Sequence, residues 1–192
     1  MKNLDKALQT IKEGDLVVYP TETAYGLGAD ALNNAAVEKV YNAKQRPKSK
    51  GLTVIVSSLE MAEKYAELSH NEKILIEEFM PGPLTLVADK KDNVPDNLND
   101  KFVFRVSSSP LAQELASEGP IVATSANISG GETSYDVEDI SKDLLEKTSF
   151  VLDKGRLPAG PTSTIAELRN GEIYIHREGP ILQKELEDTL YD

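Results

Sequence analysis

The sequence predicts one α/β domain whose helices cover a mixed sheet, and three observations carry that expectation. Short apolar runs that read as strands interleave with amphipathic segments that read as helices through most of the chain. Pro and Gly punctuate the joins instead of gathering in a tail. The last two strand candidates, 163–167 and 172–176, are parted only by a short turn containing Asn170-Gly171, which reads as a hairpin and argues against a purely parallel sheet. With 192 residues, 40% hydrophobic and 28% charged, the chain is long enough for one sizeable core and cramped for two, so the expected domain is 1–192. It shows no internal repeat, low-complexity tract or sustained heptad.

The elements follow in order. Met1 to Ile11 reads as an amphipathic helix, with Leu4, Leu8 and Ile11 at helical spacing. Leu16 to Tyr19 is a buried strand stopped by Pro20, and Thr21 to Gly28 reads as a special loop. Asn33 or Asn34 caps a helix running to about Ala43. Leu52 to Val56 is a strand, Ser57 or Ser58 caps a helix containing Met61 and Tyr65, and a further helix from His70 to Met80 ends at Pro81-Gly82-Pro83. Leu84 to Ala88 is a strand, and the polar segment Asp89 to Asp100 is a surface excursion. Phe102 to Val106 is a strand, Ser109-Pro110 opens a helix to about Ser117, and Ile121 to Thr124 is another buried strand. Phe150 to Leu152, the hairpin and a helix from Ile181 to Leu190 complete the chain.

Composition removes several chemistries. Cysteine is absent, which excludes disulfides, thiolate metal sites, iron–sulfur clusters and catalysis through sulfur. No stretch is apolar enough to span a bilayer, and the first helix has no signal-peptide core, so no membrane and a cytoplasmic location are expected. The formal charge is -11, from 21 basic and 32 acidic residues, which repels nucleic-acid backbones unless the cations are gathered. They are partly gathered: Lys44, Arg46, Lys48 and Lys50 fall within seven residues, at the end of a helix and in the loop beyond it. A local basic patch on an acidic chain suits a small anionic ligand.

The usual nucleotide signatures are missing. There is no GxxxxGK[ST], and Gly26-Leu27-Gly28 lacks the third glycine of a dinucleotide fingerprint, so it serves equally as a structural turn or as a close approach of backbone to ligand. Thr21, Glu22 and Thr23 directly follow a strand, where α/β folds place ligands, although Glu22 can also satisfy local backbone donors. Arg46 can grip phosphate oxygens in a planar fork, and Lys44 and Lys50 add mobile charge, in a loop restrained by Pro47. In the strand 102–106, Phe102, Phe104 and Val106 share one face, leaving Val103 and Arg105 on the other, where Arg105 reaches a cleft or a wet edge. Arg177 lies at another strand end. Two hydroxyl-rich clusters, Thr124-Ser125-Ala126-Asn127 with Ser129 and Thr133, and Pro161-Thr162-Ser163-Thr164, also sit at strand ends. A serine triad or a zinc site does not assemble, because His70 and His176 are the only histidines and neither stands in a ligand motif.

Taken in order, Pro20-Thr21-Glu22-Thr23-Ala24-Tyr25-Gly26-Leu27-Gly28, Lys44-Gln45-Arg46-Pro47, Phe104-Arg105-Val106, Ser125-Ala126-Asn127-Ile128-Ser129-Gly130 and Ser163-Thr164-Ile165 resemble the YrdC/TsaC family of threonylcarbamoyl-adenylate synthases, in its short single-domain form. The resemblance spans Gly14 to Pro180. It implies a YrdC-like domain with a twisted mixed sheet and an open basic cavity. It also implies a reaction of L-threonine, bicarbonate and ATP, with Mg2+ expected alongside the ATP, to give L-threonylcarbamoyladenylate and pyrophosphate. The product would pass to tRNA threonylcarbamoyl-transfer machinery acting on adenosine 37. By the resemblance Lys44 and Arg46 are catalytic; Arg46, Lys50, Thr124, Ser125, Thr133 and Arg177 bind ATP; Thr23, Arg105 and Ser163 bind threonine; and Asn127 holds the pocket. The magnesium ligands are not assigned.

Three departures stand out: Lys50-Gly51 replaces the usual neutral residue and proline, Ser107-Ser108-Ser109 follows the arginine strand instead of a Pro- and His-containing turn, and Glu167 stands where Asp is usual. The alternative function is a double-stranded RNA-binding module without synthase activity, which requires a continuous cationic surface wider than one nucleotide.

Overall fold

The computed structural model describes residues 2–191, so Met1, which the sequence assigns to the first helix, lies outside the described residues. The chain forms α1 (Lys2–Lys12), β1 (Val17–Pro20), β2 (Tyr25–Gly28), α2 (Asn34–Lys44), β3 (Val54–Val56), α3 (Leu59–Tyr65), β4 (Ala66–Glu67), α4 (His70–Phe79), β5 (Leu84–Lys90) and β6 (Phe102–Val106). It continues with α5 (Pro110–Leu115), β7 (Ile121–Val122), β8 (Thr124–Ser125), α6 (Lys142–Leu145), β9 (Phe150–Val151), β10 (Thr164–Arg169), β11 (Glu172–Arg177) and α7 (Gln183–Tyr191).

The strands make two mixed sheets. The smaller is ordered β8-β2-β1-β9; the larger is ordered β11-β10-β5-β6-β3-β7, with β4 paired to β5 off that path. Parallel pairs (β1 with β9, β10 with β5, β3 with β6) stand beside antiparallel ones, and β10–β11 is the hairpin the short turn demanded, with Asn170 and Gly171 both at positive φ.

Two differences from the sequence reading shape the site. Tyr25–Gly28, expected as loop, is a strand antiparallel to β1, with Gly28 opposite Val17 and Gly26 opposite Tyr19. A Cβ on Gly28 would sit 2.7 Å from the Tyr19 ring, so this glycine makes room for a buried aromatic rather than for a ligand. The run 121–124, expected as one strand, is divided: β7 pairs with β3, β8 pairs with β2, and between them Ala123 donates its N–H to Thr53 O at 2.7 Å. One short apolar run therefore feeds both sheets, and the gap between them opens at this junction.

Alternation decides which face is buried. Val18 joins the main core with Tyr25, Leu27, Phe102 and Phe104, whereas Val17 and Tyr19 pack with Ala7, Ile11 and Leu115 beneath α1 and α5. Helix ends follow their caps. Asn33 accepts from Ala35 and Ala36, Ser69 and Glu72 form a capping box on α4, and Ser109 with Pro110 opens α5. No helix among the described residues is long and apolar enough to cross a membrane.

Candidate active site

Between the sheets lies a cavity of about 670 Å3. Its floor comes from the exposed alternation of the larger sheet, where Val87 and Val103 stand opposite each other and Arg105 continues the same face. Its walls come from the loop after β1, the segment after α2, β8 with the turn beyond it, and the ends of β10 and β11.

Three arginines enter from different directions. Arg105 is 6% exposed on an interior strand, so the wet-edge alternative does not apply; burial, with a smaller push from Arg177, lowers its pKa. Its Nη1 donates to Glu22 Oε1, and Glu22 Oε2 accepts from the Ser107 hydroxyl. Arg46 follows Gln45, a left-handed residue that ends α2 and turns the chain toward the cavity. Its Nε and Nη2 donate to Lys50 O and Gly51 O at 2.8 and 2.7 Å, which fixes the guanidinium while leaving it without a carboxylate partner among the described residues. Arg177 donates to Ser163 O at 3.0 and 2.8 Å and to Ser163 Oγ at 3.1 Å, and Ser163 Oγ also meets Thr85 Oγ1 at 2.8 Å.

Hydroxyls and amides complete the lining. Thr21 Oγ1 accepts from the N–H groups of Thr23 and Ala24, a compact turn that presents Thr23 to the cavity. Thr124, Ser125, Asn127 and Thr133 line the opposite wall, with Ser125 Oγ donating to Asn127 Oδ1 at 2.6 Å. The cavity thus brings together Thr23, Arg46, Arg105, Thr124, Ser125, Asn127, Thr133, Ser163 and Arg177.

Lys44 and Lys50 are placed elsewhere. Lys50 is exposed and is not among the residues lining the cavity; its carbonyl accepts from Arg46. Lys44 is 1% exposed and its ammonium donates to Ser125 O, Asn127 O and Asn127 Oδ1. Burial, then Arg46, push its pKa down to about 7, while the three oxygens favour the protonated form. Lys44 therefore pins the Ser125–Asn127 turn from behind, a role that basic clustering in the sequence does not reveal.

Other features were missed. The Glu22–Arg105 pair joins residues 83 apart in sequence, and no local pattern signals it. His176 lines the cavity edge and meets Glu167 Oε2 at 2.7 Å, where Arg169 also donates. The Tyr25 hydroxyl accepts from Lys154 N–H and lies within hydrogen-bonding distance of Asp153 Oδ1 and Gly155 O, anchoring the connection that leads to Ser163.

No Asp or Glu appears in the cavity lining, and no group of three or more metal-ligating side chains occurs among the described residues. The residues present do not fit a protein-held Mg2+, which ordinarily takes at least one carboxylate.

Comparison with known proteins places this geometry. A family model, Sua5/YciO/YrdC, described as "Telomere recombination", matches residues 9–179. The chain is 39% identical over 181 residues to a putative threonylcarbamoyl-AMP synthase of Methanocaldococcus jannaschii, covering 94% of this chain and 87% of that protein. It is 36% identical over 186 residues to a threonylcarbamoyl-AMP synthase of Pyrococcus abyssi, covering 94% of this chain but 55% of that one. Among solved structures, P. abyssi Sua5 complexed with L-threonine matches with a TM-score of 0.91 at 35% identity, over 98% of this chain and 57% of that chain. E. coli YciO matches with a TM-score of 0.86 at 26% identity, over 96% and 93% of the two chains.

Proposed function

The chain belongs to the Sua5/YciO/YrdC family, and from that premise we propose that it is a threonylcarbamoyl-AMP synthase, joining L-threonine, bicarbonate and ATP into L-threonylcarbamoyladenylate with release of pyrophosphate. The observation that carries the reading is a single cavity holding three arginines, two hydroxyl clusters and no lining carboxylate, in a fold whose P. abyssi relative is seen with L-threonine.

In this reading the threonine amine attacks the carbon of bicarbonate, or of CO2 derived from it, and a carbamate forms; from bicarbonate, water is lost. A carbamate oxygen then attacks the ATP α-phosphorus, the bond from that phosphorus to the bridging oxygen breaks, and pyrophosphate leaves with the electron pair. Both steps are accelerated by holding anions together and neutralising charge as it moves onto the leaving group. Arg46 and Arg177, whose internal partners are neutral oxygens, face the triphosphate. Ser125, Thr124 and Thr133 orient the nucleotide, with Lys44 and Asn127 keeping their turn in place. Arg105, Thr23 and Ser163 receive the amino acid. No covalent enzyme intermediate is required. Mg2+ would arrive on the phosphates of ATP, and no step here is routed through a protein-held ion.

The product is a reactive mixed anhydride, so a transfer reaction onto a nucleophilic acceptor must consume it, and the acceptor proposed from the family resemblance is a tRNA adenosine. The test is mass spectrometry of a quenched reaction containing protein, ATP, Mg2+, bicarbonate and L-threonine. The expected result is the threonylcarbamoyl-adenylate mass with matching pyrophosphate, both lost when threonine or bicarbonate is omitted. A folded, ATP-binding protein that yields only ADP or AMP overturns the reading.

A further inference from the structure

Two chemically different substrates must be sorted along one cavity lined by three arginines, and arginine alone does not sort them: a guanidinium takes phosphate as readily as carboxylate. The three guanidiniums are not equivalent, however. Arg46 donates to two backbone carbonyls and Arg177 to the carbonyl and hydroxyl of Ser163, so both keep their full positive charge toward the cavity. Of the three, only Arg105 has an anionic partner among the described residues, Glu22.

The Glu22 contact is arranged so that it does not use up Arg105. Glu22 meets Arg105 through one oxygen and Ser107 through the other, so the pair is not the two-pronged carboxylate clasp of which a guanidinium is capable. Among the described residues the Arg105 side chain makes no other hydrogen bond, and the remaining N–H groups of this 6% exposed side chain that lines the cavity are left for what enters it. Glu22 itself is 21% exposed at the side chain and, although it does not line the cavity, contacts an arginine that does. The same residue belongs to the turn that presents Thr23, so its contacts also tie that turn to the end of β6.

Resting on the synthase reading, we propose that Glu22 is the specificity-determining residue of the cavity: beside Arg105 it makes a dipolar end that accepts a zwitterionic amino acid and rejects phosphate. The α-carboxylate meets the free N–H groups of Arg105, the α-ammonium gains from the negative charge of Glu22, and a polyanion is repelled by it. The nucleotide phosphates are left the uncompensated Arg46 and Arg177. Before attack the ammonium gives up its proton to solvent.

The test uses Glu22→Gln, which keeps an acceptor toward Arg105 while removing the charge. The expected result is a rise of about tenfold in the threonine KM, the scale of one lost charge-assisted contact, with the ATP KM within about twofold. In addition, pyrophosphate, competitive with ATP alone in the parent, becomes competitive with threonine as well. A purely structural role would not create that second inhibition pattern. An unchanged threonine KM and unchanged pyrophosphate pattern overturn the proposal. Calorimetry on the unaltered protein decides the matter independently of how the variant folds. L-threonine should bind at least about tenfold more tightly than 2,3-dihydroxybutanoate, which has the carboxylate but no ammonium; equal or tighter binding of that anion overturns the proposal. A parent protein that makes no adduct refutes the synthase reading, whereas a productive parent with an indifferent Glu22→Gln variant refutes the assignment of Glu22 alone.

Discussion

Gly179→Ala is expected to damage stability and activity together, because the glycine stands where two backbone segments meet with no room for a methyl group. A Cβ built there lies 2.3 Å from Thr164 N, 2.6 Å from Thr162 O and 2.7 Å from Ser163 C, all of them backbone atoms that cannot swing aside. Restoring ordinary contact requires the 178–180 segment to move about 1 Å away from the start of β10. Two buried hydrogen bonds bind those segments, Thr164 Oγ1 to Ile181 O at 2.8 Å and Ile181 N to Thr164 Oγ1 at 3.1 Å, and both lengthen on such a movement. Overpacking of this kind costs roughly 1–3 kcal/mol, and weakening the paired bonds adds about 1 kcal/mol, giving about 2–4 kcal/mol. For a chain of this size that is a Tm lowered by roughly 5–15 °C. The same shift displaces Arg177 from Ser163, and misplacement on this scale is expected to cost about 100-fold in kcat/KM. Thermal unfolding and pyrophosphate release measure the two effects, with Gly160→Ala as the control, since nothing lies within 4 Å of a Cβ there. A Gly179→Ala protein with the parent's Tm and kcat/KM would refute the reasoning.

Arg46→Ala removes a fixed guanidinium from the phosphate end and should weaken ATP binding by roughly 10- to 150-fold, read by calorimetry on the folded variant. Lys44 titrates near 7 in the folded chain against 10.5 ordinarily, so between those values the unfolded chain binds more protons and this group's contribution to stability rises with pH. Lys44→Met should therefore look best against the parent below pH 7 and lose ground steadily toward pH 10, which denaturant unfolding at several pH values checks. Tyr25→Phe deletes a hydroxyl with three partners in the 153–155 turn and should cost about 1–2 kcal/mol while speeding proteolysis of the exposed connection before Ser163. Duplex RNA should show no measurable binding by fluorescence anisotropy at about 150 mM salt, and a tight complex there would restore the RNA-binding alternative.

Much of the fold was legible because its signals are local. The apolar runs other than 121–124, the proline stop after α4, the Ser109-Pro110 helix entry and the hairpin turn each act within a few residues, and each forms the expected element. Alternation in 102–106 even set the direction of Arg105 toward the cavity. What was not legible depends on pairing between distant segments. Tyr25–Gly28 became a strand because β1 and β8 flank it, and 121–124 divided because each half met a different sheet. The site divides the same way. Arginines and hydroxyls at strand ends could be picked out singly, but Lys44 is indistinguishable in sequence from the solvated Lys48 and Lys50 around it. Only the fold turns Lys44 inward onto Ser125 and Asn127.

The charge of the chain takes its meaning from where the cations are satisfied. Lys12, Lys39, Lys73, Lys90 and Lys101 each pair with a carboxylate at the surface, and acidic residues outnumber basic ones 32 to 21, so the net field outside is unfavourable to a polyanion. Such exposed pairs contribute little to stability, but they cancel the field that would draw a nucleic-acid backbone. Arg46 and Arg177 escape this pairing because their donors are occupied by carbonyl oxygens, which orient a guanidinium without neutralising it. An acidic exterior around two uncompensated arginines and one compensated by Glu22 concentrates the attraction for anions inside a cavity the size of a nucleotide and an amino acid. Net repulsion of long polyanions and local capture of short ones then follow from the same distribution, and the acidity of the chain becomes part of its selectivity.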